Sequence, residues 1–223
     1  MTETFLALLL AHLIAAFVLP ERPGFAGLAL RVGGFAVAAA VTLGLAPWQL
    51  ILAAAGAHAA LHAAATALPR SLGAFFAAQA LHLASLLALT AWIPSAYALG
   101  LWGSMDWAEA YTFACGALIA ILAGGPAIGL LMTRFTAALP EGLTGAGRLI
   151  GGLERTLIFA LVMVGEPAGI GFLIAAKSIL RFDAAKTPHA SEYVIVGTLA
   201  SFGWALIASL LTLEALEIVR TAP

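Results

Sequence analysis

This sequence is short of charge, of cysteine and, over a long stretch, of any acid. Charged residues make up 9% of its 223 residues and hydrophobic residues 63%. A soluble domain carries about 25% charged residues, so this chain has too little polar surface to face water on all sides. With a mean hydropathy of +1.05 it reads as an all-α, polytopic transmembrane helical bundle. The net charge of −1 gives no basic field for nucleic acid. A single cysteine, Cys115, excludes an intrachain disulfide and a cysteine-based metal motif, and reads as a small apolar residue packed in a helix. Residues 25–105 contain no Asp or Glu, so a metal-hydroxide enzyme there has no carboxylate base. The opening stretch "MTETFLALLLAHLIAAFVLP" has no positive n-region, has His12 inside its apolar run and has no small-x-small site before Pro20. It is expected to be a first transmembrane helix rather than a cleaved leader.

What the sequence does have is apolar runs. A crossing helix needs about 17–25 residues. Such runs lie near 4–20, 25–45, 48–68, 73–93, 108–133, 148–165, 168–182 and 191–218, which predicts about eight spans. The seventh run is short, and seven spans with a re-entrant hairpin is the alternative. Proline or glycine chemistry marks the breaks, as at Pro20, Pro47, Pro69, Pro94 and Pro167. The chain divides on this reading into a histidine-bearing part (1–95), an outer loop, fifth span and linker (96–147), and a charged C-terminal hairpin with the last span (148–223).

Charge asymmetry orients the spans. Arg22, Arg31, Arg70, Arg134, Arg148, Lys177, Arg181 and Lys186 fall in or beside the odd-numbered loops, and Arg220 stands on the other side. The positive-inside rule makes the odd loops cytoplasmic and puts both termini in the periplasm. Trp48, Trp92, Trp102 and Trp107 then share the outer interface, where an aromatic belt belongs. The lipid bilayer is the first expected partner. Paired glycines such as Gly33-Gly34 and Gly151-Gly152 suit close helix packing, within the bundle, in a homo-oligomer or in a larger membrane complex.

Two sets of polar residues fall inside these spans. "GFLIAAKSILRF" (171–182) carries Lys177, Ser178 and Arg181 in an apolar run. Gly165-Glu166-Pro167 is short enough to make a helical hairpin, which brings Glu154 and Arg155 to the depth of Lys177. Glu192 approaches from the next helix. A charge near the bilayer centre costs about 2.5–3.5 kcal/mol, so Glu154 and Glu192 are expected to pair with Arg155, Lys177 and Arg181. Snorkelling of the long side chains toward the cytoplasm is the simpler alternative. The second set is His12, His58, His62 and His82, at one depth on three helices, with His58 and His62 four apart. Neutral imidazoles so placed could bind a transition metal or ligate haem, or hydrogen-bond between helices.

Residues 142–202 carry a resemblance. "GLTGAGRLIGGLERTLIF", "IGFLIAAKSILRF" and "EYVIVGTLASF" resemble blocks of a bacterial membrane-protein family called domain-of-unknown-function family 3307. The resemblance covers Gly147, Ile150, Gly151, Glu154, Arg155, Gly171, Lys177, Ser178, Arg181, Glu192, Tyr193, Gly197, Thr198 and Ser201. It implies the fold and a bacterial inner-membrane location, and no activity. The N-terminal half departs from the pattern. Ala15, His62 and Ala78 stand where the family's typical form has aspartate, while His12, His58 and His82 persist. The functional expectation is a non-enzymatic helical-bundle subunit or small-solute membrane component with a cytoplasm-facing charged cluster. No resident cofactor is expected; the rival reading is a metal-dependent hydrolase, or a metal or haem protein, built on the histidines.

Overall fold

The computed structural model describes residues 1–135, 145–181 and 188–221, with the backbone alone at 146, 179–181 and 188–191. Every regular element among the described residues is helical. The helices are α1 (Thr2–Val18), α2 (Gly24–Leu43), α3 (Trp48–Thr66), α4 (Leu72–Trp92), the single turn α5 (Ala96–Leu99), α6 (Ala108–Met132), α7 (Ala146–Met163), α8 (Gly169–Arg181) and α9 (Pro188–Thr221). The chain forms two compact units, residues 1–118 with 216–223, and residues 119–215.

Among the described residues four helices are long and apolar enough to cross a membrane: α2, α4, α6 and the Glu192–Thr221 part of α9. The expectation of eight is therefore not met by length and apolarity. The shortfall has a physical cause in each remaining case. Gln49, His58 and His62 lower the hydropathy of the 19-residue α3. Arg148, Glu154 and Arg155 do the same to the 18-residue α7. The 17-residue α1 (Thr2–Val18) and the 13-residue α8 (Gly169–Arg181) are short.

In the first unit, alanine and leucine faces of α1, α2 and α3 close around Phe35, with Ala7, Leu8, Ala11, Ala39 and Leu50 fully buried. The small residues let the helices approach closely. Trp102, after α5, and Tyr111 of α6 pack on the end of α2: Trp102 Nε1 donates to the Val41 carbonyl at 2.7 Å, and the Tyr111 hydroxyl to the Thr42 carbonyl at 3.0 Å. These are carbonyls that a helix C-terminus leaves unpaired. In the second unit Ile158, Phe202 and Ala205 form the core, with Ile170 and Leu173 against it. The α7–α8 turn is a Schellman closure. Gly165 takes φ +79°, the Glu166 N–H donates to Leu161 and the Gly165 N–H to Val162.

Two helices widen into π-turns, at Ile14–Val18 in α1 and Leu118–Ala123 in α6. The same chemistry recurs at both. In α1 the Leu19 N–H reaches back five residues to Ile14. In that register the Ala15 carbonyl falls to Pro20, which has no N–H. Arg31 of α2 supplies the missing donor, with Nη1 3.1 Å from the Ala15 oxygen and 2.8 Å from that of Ala16. In α6 the five-residue register assigns the Ile121 carbonyl to Pro126. Arg155 of α7 donates to it from Nε at 2.9 Å. Trp204 of α9 donates to the neighbouring Ile119 carbonyl at 2.9 Å. Gly124 makes room, since a Cβ there would meet Trp204 at 2.7 Å and Arg155 Cδ at 2.9 Å.

An orphaned buried acceptor costs about 1–3 kcal/mol. Arg31→Met is expected to lower the thermal midpoint of the detergent-solubilised protein accordingly. Pro20→Ala returns an N–H to the Ala15 carbonyl, so the double substitution should recover part of the loss. Strictly additive losses would show that Arg31 acts elsewhere.

Candidate functional site

Each unit holds one group of polar side chains. In the second unit α7, α8 and α9 bring Glu154, Arg155, Lys177 and Ser201 together. Lys177 Nζ donates to Glu154 Oε2 at 2.6 Å, with both side chains largely buried. The same ammonium lies 5.2 Å from the centroid of Phe202, a cation–π distance. The hairpin produces this pairing, because residues equally far from the Gly165 turn meet across it.

Arg155 is satisfied by neutral acceptors as well as by its helix position. Its Nε donates to the Ile121 carbonyl and its Nη1 to Ser201 Oγ at 3.1 Å. Ser178 is exposed and its hydroxyl donates to the Ile174 carbonyl of its own helix, so it turns away from the pair. Glu192 is exposed at the start of α9. The Arg181 side chain, Lys186 and His189 lie outside the described residues. Beside the Glu154–Lys177 pair opens a cavity of about 350 Å³, lined in part by Arg148, Arg155, Tyr193, Thr198 and Ser201. The lysine–aromatic contact with Phe202 and the carbonyl at Ile121 had no sequence signal, since both depend on helix packing. The π-turn did have one, in the proline five residues on.

In the first unit His12 of α1, His58 of α3 and His82 of α4 converge, all buried. Their ring centroids are 4.7 to 5.4 Å apart. One ring nitrogen from each can be chosen so that all three lie within 4.8 Å of one another. His12 Nδ1 is 3.4 Å from His58 Nδ1, and His12 Nε2 is 3.0 Å from Gln79 Oε1. His82 Nδ1 is 2.8 Å from the Ala78 carbonyl. Nε2 of His58 and Nε2 of His82 are buried with no hydrogen-bond partner. Phe35 stacks on His58 with centroids 4.8 Å apart and 15° between planes, which fixes that ring. His62 stands outside the trio, parallel to His58 at 6.4 Å, and lines a separate open cavity of about 460 Å³ with Arg31 and Arg70. The rings are close enough for one ion to reach a nitrogen of each.

No family model, curated protein or solved structure matches this chain.

The ion pair can be weighed directly. Removing one partner of a buried pair costs about 3–5 kcal/mol because the other charge is stranded. Glu154→Gln should cause a loss of this order in thermal or denaturant stability in detergent. Glu154→Gln with Lys177→Met should recover part of it, as coupled neighbours do. A coupling energy of zero in this double-mutant cycle would make the two charges independent anchors.

Proposed function

We propose that this protein is a non-enzymatic, multi-pass component of a bacterial inner membrane, whose second unit receives a small anionic solute from the cytoplasmic side. The observation that carries this reading is the cavity beside Glu154 and Lys177. Its lining combines Arg148, Arg155 and Lys177 with one carboxylate, Glu154, so the balance of formal charge is positive. Tyr193, Thr198 and Ser201 add polar atoms for orientation. A volume of about 350 Å³ is in the range of small-molecule sites. The resemblance of residues 142–202 to the bacterial family supports the location. The excess of Lys and Arg beside the odd-numbered loops supports a cytoplasmic opening.

On this reading the less apolar helices also cross. The polar residues in the middle of these helices, His58 of α3 and Glu154 and Arg155 of α7, are buried against protein, as intramembrane polar groups are. Both termini then lie in the periplasm.

A screen of small carboxylates and phosphates by thermal shift, on the purified chain in detergent, tests the solute reading. At least one should raise the midpoint, and Arg148→Gln at the rim should remove the effect. A flat response to every anion rejects it. Topology is tested by reporter fusions after Ala46, after Arg70 and at residue 223. Eight crossings place the first two on opposite sides, whereas four crossings by α2, α4, α6 and α9 place them on the same side. A cytoplasmic reporter at residue 223 overturns the assignment of the C-terminus.

A further inference from the structure

We propose that His12, His58 and His82 form a binding site for a late first-row transition-metal ion within the first unit, with Gln79 and the Ala78 carbonyl holding the ligand tautomers. The site lies on α1, α3 and α4, shares no residue with the cavity lining, and does not depend on the solute reading.

The hydrogen bonds decide which nitrogen carries the proton. A carbonyl only accepts, so the 2.8 Å contact to Ala78 places a proton on His82 Nδ1 and leaves the Nε2 lone pair bare. The amide oxygen of Gln79 does the same for His12 at Nε2, leaving the Nδ1 lone pair facing His58. Metal-bound histidines nearly always donate their other N–H to a carbonyl or carboxylate in this manner. His82 Nε2 is therefore an acceptor buried without a donor. A core histidine kept for packing would normally have this atom satisfied.

The spacing agrees. Two imidazole nitrogens at about 2.0–2.1 Å from a tetrahedral ion are roughly 3.4 Å apart. His12 Nδ1 and His58 Nδ1 are 3.4 Å apart, and each of the three rings offers a nitrogen within 4.8 Å of the others. Closing the third ligand onto an ion needs a small rotation of one ring. Three neutral nitrogens select zinc, copper or nickel over magnesium or calcium, which need oxygen. The trio brings no negative charge, so an anion or hydroxide in the fourth position would lower the cost of a dication there.

The test uses the full chain without an affinity tag, purified in detergent, stripped with EDTA and titrated with Co²⁺ and then Zn²⁺. One ion per chain is expected, with the visible bands of four-coordinate Co²⁺ that Zn²⁺ displaces and Mg²⁺ does not. Gln79→Ala should weaken binding by about 10–100-fold through loss of the tautomer lock. His82→Ala should abolish binding, and His62→Ala should leave it intact. If His82→Ala does not fold, the Gln79→Ala affinity and the Zn²⁺-dependent rise in the wild-type melting midpoint decide the matter. Folded wild-type protein that retains no ion, or binding unchanged in both Gln79→Ala and His82→Ala, overturns the site.

Discussion

One constraint governs this molecule: a polar group inside a bundle with so little polar surface must find its partner within the chain. Lipid cannot hydrogen-bond an open carbonyl, and each one left open in hydrocarbon costs several kcal/mol. The two π-turns, each followed by a proline, open such carbonyls at Ala15 and Ile121, and each is closed by an arginine from another helix. The arrangement serves both sides. The guanidinium gains fixed acceptors in a place where water is scarce, and the wider turn gains a donor. Burial of Arg31 and Arg155 follows from this fit rather than from pairing with an acid alone.

The same constraint explains how the two polar groups differ. Glu154 and Lys177 each carry a full charge, and the tight hairpin lets them cancel at 2.6 Å. The histidines are neutral, so they tolerate burial without cancellation, and two ring nitrogens remain open. A group of charges must be complete to be stable in such a place, while a group of imidazoles can be incomplete and wait for a ligand. Arg155 joins the two themes, since it closes a π-turn through Nε and reaches Ser201 beside the cavity through Nη1.

Much of this was legible in the residues. Apolar runs and Pro/Gly breaks placed the helices, because helix ends are set by local chemistry. Equal distance from a turn placed Glu154 opposite Lys177, because hairpin geometry is also local. Other features depend on rotation of one helix about its axis, which spacing does not fix. Ser178 stands one residue from Lys177, yet it faces outward and bonds to its own helix. His62 is four residues from His58, yet it lies outside the trio. Span number is not legible for a related reason: apolar length alone treats α3 and α7 like α4, although their histidines and charges set them apart.

The 34-residue α9 has a consequence of its own. It carries no charge from Tyr193 to Leu213, a stretch about 32 Å long at 1.5 Å per residue. That length matches a hydrocarbon core of about 30 Å, with Glu192 at one edge and Glu214 at the other. The helix then continues for two turns, to where Arg220 Nε donates to Glu109 Oε2 at 2.8 Å. Set in a bilayer, α9 would act as a gauge of its thickness. A markedly thinner membrane must either tilt it or drag apolar residues into water, and tilting would strain the exposed Arg220–Glu109 link at its tip before anything buried.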